Sequence, residues 1–231
     1  MDNLEILKRK CPKGHFERLT SIPNKEVIEF ISKYVALCNP ASVFVRTDSE
    51  EDAEYIRKKA IENGEEYKLK IEGHTVHFDG YFDQARDKKN TKFLIEKGME
   101  FGKGLNVLER EKGLEEIHYL MKDIMKGKEL FILFLCLGPV NSEFSLYAVQ
   151  LTDSAYVAHS EDILYRPAYR VFLEKEDTEF FKLALQYAEE HGGCVTLPDV
   201  VNHQKIMREG DIVICVDDIS YDEMKNIWLS A

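Results

Sequence analysis

The 231-residue sequence lacks the short motifs that mark several common classes of enzyme. It contains no GxxxxGK[ST], GxGxxG or GxSxG, so no phosphate loop, dinucleotide fingerprint or nucleophile elbow is recognisable. Its five cysteines include no CxxC pair, which argues against structural zinc and favours reduced thiols in a cytosol. Apolar runs fall well short of the roughly 20 residues that cross a bilayer, and the N-terminus has no apolar signal core. We therefore expect a cytoplasmic protein that does not span a membrane.

Basic residues are outnumbered by acidic ones. Lysine and arginine total 31 against 42 aspartates and glutamates, which gives a net charge of −11. Such a balance argues against binding to nucleic acids or to anionic membranes, although a local basic pocket for a small anion remains compatible with it. With 44% hydrophobic residues, the chain can bury a sizeable core, and its length suggests one large domain or one and a half.

Helical and strand-like patterns alternate along the chain. Apolar spacing and capping residues predict helices over 21–40, 49–64, 113–127 and 177–193, and a short one over 221–229. Strands are predicted over 42–47, 129–137, 144–152 and 211–218, with two more around Gly73, and 100–113 is the most loop-like segment. The run ELFILFLCL is apolar throughout and predicts a central strand covered on both faces. We therefore expect an α/β fold with a mixed β-sheet and flanking helices.

Two groups of residues suggest ligand binding, and each has a plainer interpretation. Arg86, in DQARDKKNT, either belongs to a solvated charged loop or grips a carboxylate with two parallel hydrogen bonds. His74 and His77 resemble metal ligands, but strand positions three apart face opposite sides, so we do not expect one shared ion.

The segment TDSAYVAHS directly follows a predicted buried strand. Asp153 and Ser154 either cap a helix, with an Asx turn, or help to shape a ligand crevice at the strand end. Spacing alone leaves both interpretations open.

Four longer segments resemble the N-terminal domain of the GTP-type phosphoenolpyruvate carboxykinases, and their archaeal branch in particular. They are ALCNPASVFVRTDSEED (36–52), DQARDKKNTKFLI (83–95), MKGKELFILFLCLGPVNSEFSLYAVQLTDSAYVAHS (125–160) and ILYRP (163–167). The resemblance covers roughly residues 20–190, and its third block is long and specific. One departure is that Lys128-Glu129 stands where the family has an arginine before the central strand.

The resemblance implies a carboxykinase N-terminal-domain fold and a substrate-recognition domain over 1–190. Arg86 matches the family arginine that holds a carboxylate of oxaloacetate or phosphoenolpyruvate, so a small dicarboxylate is the implied partner. Thr152, Asp153 and Ser154 would brace the scaffold beside the substrate cleft. Residues 191–231 are expected to form a divergent strand-helix extension packed on the same domain.

The resemblance also implies that the chemistry needs more than these residues supply. The full-length family enzymes use GTP and manganese or magnesium to convert oxaloacetate into phosphoenolpyruvate, with a kinase-like C-terminal domain holding nucleotide and metal. We assign no catalytic, cofactor-binding or metal-binding residue to this chain, and we expect it to be inactive alone. A separate kinase-like C-terminal domain is an implied partner. The alternative is a standalone non-catalytic binding or regulatory protein that kept the fold.

Overall fold

The computed structural model describes residues 3–78, 92–98, 106–188 and 193–199, with side chains described between residues 4 and 182 of those ranges. The helices are α1 (Asn3–Lys10), α2 (Lys13–Thr20), α3 (Lys25–Cys38), α4 (Glu50–Glu62), α5 (Arg110–Met121), α6 (Ala155–Leu164) and α7 (Tyr169–Glu174). The strands are β1 (Ser42–Val45), β2 (Tyr67–Lys68), β3 (Thr75–Val76), β4 (Phe93–Ile95), β5 (Val107–Glu109), β6 (Glu129–Leu137), β7 (Leu146–Thr152), β8 (Arg166–Pro167), β9 (Phe181–Ala188) and β10 (Gly193–Asp199).

The main sheet is mixed. Its strand order is β1-β6-β7-β9-β10, and β8 pairs with β6 outside this path. Strands β1 and β6 run parallel, as do β7 and β9, whereas β6 pairs antiparallel with β7 and β9 with β10. Separate small pairs are formed by the β2–β3 hairpin and by the parallel strands β4 and β5. The mixed sheet with helices against it confirms the predicted fold class.

Strand β6 lies at the centre of the core, as its apolar sequence predicts. Alternate side chains face opposite sides: Ile132 and Phe134 join the cluster that includes α3 and α5, and Leu133 joins the cluster with α4 and α6. All three side chains are completely buried. A strand covered on both faces has no need of polar positions, which explains the uninterrupted apolar run.

The starts of two helices are encoded locally. The Asn24 side chain accepts hydrogen bonds from the N–H groups of Glu26 and Val27, and Ser49 accepts one from Asp52. These bonds satisfy N–H groups that have no partner within the helix. The predicted helices over 21–40 and 49–64 are therefore confirmed in their cores, as α3 and α4.

The helix predicted over 177–193 is wrong, because residues 181–188 form strand β9. Phe181, Leu183, Leu185 and Tyr187 alternate with other residues, so the segment also carries a strand period. The segment forms a strand because pairing with β7 satisfies backbone N–H and C=O groups along one edge of β9.

The predicted helix over 113–127 ends early, at Met121. Beyond it, Asp123 adopts a φ of 59° and donates its N–H to the carbonyl of Leu37, and Met125 donates to Cys38. This backbone therefore caps the end of α3 instead of extending α5. The loop predicted over 100–113 is also partly wrong, because β5 and the first turn of α5 lie within it.

The predicted strand over 211–218 and helix over 221–229 lie outside the described residues. Among the helices that the structure describes, none combines the length and the apolar character that a membrane span requires.

Candidate functional site

Arg86 lies outside the described residues, in the segment 79–91, so its role as a carboxylate ligand stays a prediction. The described chain reaches Phe78 on one side of this segment and resumes at Lys92 on the other. What the structure does describe is the surface next to Phe78. It comprises the turn after β7, the first turn of α6 and the residues around the β2–β3 hairpin.

The turn after β7 is held by hydroxyl groups. Thr152 Oγ1 accepts a hydrogen bond from the N–H of Ser154 at 3.1 Å, and Ser154 Oγ accepts one from the N–H of Val157 at 3.1 Å. Both hydroxyl side chains belong to buried residues. Ser154 is thus the N-cap of α6, which confirms the helix-cap interpretation of this segment.

Glu65, just after α4, attaches the same turn to the neighbouring helix. Its Oε2 atom accepts hydrogen bonds from Ser154 Oγ at 2.6 Å and from the N–H of Tyr156 at 2.8 Å. A carboxylate in this position also interacts favourably with the positive end of the α6 dipole. The start of α6 is therefore satisfied by a residue that lies far away in the sequence.

Asp153, the carboxylate of the turn, forms an ion pair with Lys128 at 3.0 Å. The Asp153 side chain is fully buried, whereas the Lys128 side chain is 44% exposed. Lys128 stands at the departure from the family pattern, and the ion pair gives this residue a structural role. Burial and the charge of Asp153 together raise the pKa of the Cys38 thiol to about 12. Cys38 therefore stays protonated at neutral pH.

The two histidines of HTVH have different surroundings. His74 is exposed, and its Nδ1 atom lies 3.1 Å from the carbonyl oxygen of Glu72. The His77 ring stacks on the ring of Tyr156, with centroids 3.5 Å apart and planes 10° from parallel. Its Nδ1 atom donates to the carbonyl of Glu65 at 2.6 Å. The contacts of His77 thus connect the end of the β2–β3 hairpin with the first turn of α6.

A second polar layer lies further along α6. Glu66 accepts a hydrogen bond from His159 Nδ1 at 2.7 Å, and Arg46 Nε lies 2.9 Å from Asp162 in a pair with both side chains over nine-tenths buried. Burial is the largest single effect and opposes the ionisation of Glu66. The hydrogen bonds from His159 and Thr75, together with the charge interactions with His159 and His77, outweigh burial and lower the pKa of Glu66. These contacts attach α6 to the end of β1 and to the residues after α4.

Within the described ranges, no group of three histidine, cysteine, aspartate or glutamate side chains is arranged to hold a metal ion. The residues at hand therefore do not fit the manganese or magnesium that the full-length enzymes are expected to use.

Sequence reasoning missed Glu65, Tyr156 and the partners of Asp153. Glu65 and Ser154 lie 89 residues apart in the sequence, and a local sequence pattern cannot reveal a contact over that distance. The sequence singles out His77 only for its resemblance to a metal ligand, because a ring that stacks on a distant aromatic residue leaves no periodic signal in the sequence.

Comparisons with known proteins agree with this architecture. The sequence profile of the phosphoenolpyruvate carboxykinase N-terminal domain matches residues 29–198. The chain is 58% identical over 168 residues to the phosphoenolpyruvate carboxykinase [GTP] of Thermococcus sibiricus, which covers 73% of this chain and 27% of that protein. It is 43% identical over 180 residues to the same enzyme of Saccharolobus solfataricus, covering 78% and 29% of the two chains.

A bacterial relative is more distant. The phosphoenolpyruvate carboxykinase [GTP] of Chlamydia trachomatis is 29% identical over 151 residues, covering 64% of this chain and 25% of that protein. The chain thus spans less than a third of the length of these relatives. The matched region runs from α3 through the central strands and α6 to β10. The chain therefore belongs to the phosphoenolpyruvate carboxykinase N-terminal domain family.

Proposed function

We propose that this chain is the substrate-recognition domain of a GTP-dependent phosphoenolpyruvate carboxykinase-like protein. In this proposal Arg86 binds a carboxylate of oxaloacetate or phosphoenolpyruvate through its two parallel N–H donors. The observation that carries the proposal is the family match over residues 29–198, a range that contains the Asp-x-Ala-Arg segment ending at Arg86. The names of the relatives supply the substrate class.

Arginine suits this task better than lysine. A planar guanidinium matches the two oxygens of a carboxylate, whereas an ammonium group offers a single point charge. The chain carries a net charge of −11, so binding of an anion requires a local cation rather than a general field. Arg86 is that cation in the proposal, and Lys88 and Lys89 follow it closely in the sequence.

Calorimetric titration with oxalate, a stable mimic of the dicarboxylate substrate, tests the carboxylate site. The wild-type chain is expected to bind oxalate. Arg86→Ala is expected to weaken binding by about 1.5–3 kcal/mol, the range for a hydrogen bond to a charged group, or roughly tenfold to over a hundredfold. Lys88→Ala is the matched control, because it removes a cation from the same segment without removing the proposed ligand. Equal heats for wild type and Arg86→Ala contradict the proposal.

The proposal also holds that these 231 residues do not turn over substrate by themselves. Phosphoryl transfer needs bridging metal ions and a positioned nucleotide, and the sequence contains no phosphate-loop motif. The test is phosphoenolpyruvate formation from oxaloacetate with GTP and manganese, first with the chain alone and then with an added kinase-like C-terminal domain of a relative. Turnover by the chain alone contradicts the proposal. Oxalate binding without turnover in either mixture favours the alternative, a non-catalytic binding or regulatory protein.

A further inference from the structure

The connection between β6 and β7 exposes a group of apolar side chains, which we call the hairpin patch: Leu137, Val140, Phe144 and Leu146. Phe144 is 80% exposed, and the other three are exposed as well. Leu137 and Leu146 are opposite each other in the β6–β7 ladder, so their side chains lie on one face of the sheet. Single exposed apolar side chains are common on soluble proteins, whereas a group of them at one turn marks an interaction surface.

The hairpin patch lies in a stretch with almost no charge. Glu143 is the one acidic or basic residue in the sequence LGPVNSEFSLY (137–147), although 32% of the whole chain is charged. The buried centres of protein interfaces are likewise poor in charged residues and rich in aromatic ones. The composition of the patch therefore fits an apolar protein surface as its partner.

Hydrogen bonds hold the turn in one shape. Asn141 donates its N–H to the Tyr147 hydroxyl at 3.0 Å, and its side-chain oxygen accepts a hydrogen bond from Lys175 at 2.9 Å. Arg166, in β8, donates to the carbonyl of Gly138 at 2.9 Å. The turn is thus attached to β7, to β8 and to the residue that follows α7. A surface that is already ordered loses little conformational entropy when a partner binds, which suits a docking element.

The region that matches the family profile ends at the same end of the sheet as the hairpin patch. The match stops at residue 198, in β10. Asp199, the last residue of β10, pairs with Lys182 of β9, and Lys182 pairs with Val149 of β7. Val149 lies in the first half of β7, close to the turn. In the family, the chain therefore leaves the matched region near the hairpin patch.

The relatives have much more chain to place beside this end of the sheet. The match covers only 27% of the Thermococcus sibiricus protein and 29% of the Saccharolobus solfataricus protein. Because the profile describes an N-terminal domain, most of the remaining polypeptide follows the matched part. A large following segment and an exposed apolar patch thus meet at one end of the sheet.

We propose that the hairpin patch is a docking surface for the part of a carboxykinase that follows its N-terminal domain, with Phe144 inserted into an apolar pocket of that part. The proposal rests on the proposed function in one respect, since it takes the chain as a domain of a carboxykinase-like protein. It does not depend on Arg86. A large aromatic side chain at the centre of a patch is the type of residue whose truncation costs most binding energy.

Calorimetry on the full 231-residue chain provides the first test, with the polypeptide that follows the matched region in the Thermococcus sibiricus relative as the probe. Wild type is expected to bind the probe, and Phe144→Ser to bind it about tenfold or more weakly. Tyr119→Ser is the matched control, because Tyr119 is also 80% exposed but lies on α5. Absence of binding by wild type overturns the proposal, as does equal weakening in the two variants.

Urea unfolding of the chain alone separates docking from a role in folding. Phe144 belongs to none of the core clusters that the described side chains form. Phe144→Ser is therefore expected to keep the wild-type urea midpoint when no partner is present. A lower midpoint in Phe144→Ser shows that the ring packs within its own chain and overturns the proposal.

Sedimentation of the chain alone tests whether a second copy covers the patch instead. Wild type and Phe144→Ser are expected to sediment alike, as monomers. A wild-type dimer that Phe144→Ser dissociates identifies the second copy as the occupant and overturns the proposal.

Oxalate calorimetry keeps this inference apart from the function proposed for Arg86. Phe144→Ser is expected to bind oxalate with wild-type affinity. If wild type binds the carboxykinase probe but not oxalate, the carboxylate site fails and the docking surface stands. If wild type binds oxalate but not the probe, the docking surface alone is overturned.

Discussion

The ammonium group of Lys128, next to the start of β6, lies 3.0 Å from Oδ2 of the fully buried Asp153 at the end of β7. Lys128 precedes β6 and Asp153 follows β7, its antiparallel neighbour, so their ion pair lies where these two strands meet at one end of the sheet, beside the α6 cap. A buried carboxylate is costly unless a cation or hydrogen bonds compensate it. Lys128 therefore carries part of the stability of the turn after β7.

Lys128→Gln is expected to destabilise the chain by about 1–3 kcal/mol. The range lies below that for a fully buried pair, because the lysine side chain is half exposed and water screens part of the interaction. Urea unfolding of the variant and the wild type gives the difference. Lys126→Gln serves as control, because Lys126 is an exposed lysine two positions earlier. Equal losses in the two variants argue that net charge, rather than the contact with Asp153, sets the effect.

Ser154→Ala is expected to lower the free energy of unfolding by about 1–2 kcal/mol, the usual cost of losing an N-cap. The variant also loses the hydrogen bond from Ser154 Oγ to Glu65. Ser160→Ala, in the middle of α6, is the control and should be neutral or slightly stabilising, since alanine favours helices. Thermal unfolding followed by circular dichroism measures both. A Ser154→Ala chain as stable as wild type shows that Glu65 alone satisfies the helix start.

Glu161 makes stability depend on pH. Burial, with a further contribution from the charge of Asp162, raises the pKa of Glu161 from 4.5 to about 6, although the Gln150 side chain opposes the shift. The folded state therefore binds more protons than the unfolded state between pH 4.5 and about 6, so this residue's contribution to stability falls as pH rises through that window.

Glu161→Gln removes the carboxylate and is expected to stabilise the chain by about 1–2 kcal/mol at pH 8. The gain should shrink towards pH 5, where the wild-type carboxyl is largely protonated in the folded chain. Urea unfolding at the two pH values measures it, with Glu143→Gln, an exposed site in the β6–β7 turn, as control. A gain independent of pH contradicts the assignment of the shifted pKa to Glu161.

Gly138, which ends β6, is expected to resist substitution for two reasons. Its φ is +90°, and a Cβ atom there would lie 3.0 Å from the carbonyl oxygen of Phe144. Gly127 has a φ of +85° but open space around it. Gly127→Ala should therefore cost about 1–2 kcal/mol for the backbone alone, and Gly138→Ala should cost about 1 kcal/mol or more beyond that. If urea unfolding gives equal losses of stability for the two variants, the Phe144 carbonyl moves away from the added Cβ atom at no cost.

Several local features follow from the sequence without knowledge of the fold. Ser49 caps α4 at the start of the helix predicted over 49–64, and this is a local feature because a cap and its target N–H lie within three residues of each other. The central position of β6 also follows, since a run without polar positions must be covered on both sides. The quoted blocks carried the family resemblance, which the matched profile confirms.

Other features depend on contacts between distant segments. Residues 181–188 carry both helical and strand-like spacing, and only the edge of β7 selects the strand. The residues after Met121 continue an apolar helical stripe in the sequence. Their N–H groups nevertheless donate to the carbonyls of Leu37 and Cys38 at the end of α3 instead of extending α5. In both cases a backbone partner elsewhere in the fold outweighs local propensity.

The sequence by itself determined the α/β class, the central strand, the capped helices and the family, because each rests on periodicity or on contiguous motifs. Only the tertiary structure decided which residues meet at the start of α6. Glu65 reaches Ser154, Lys128 pairs with Asp153, and His77 stacks on Tyr156. The physical reason is that single hydrogen bonds, ion pairs and ring contacts between distant residues leave no regular pattern, so their partners appear only when the chain has folded.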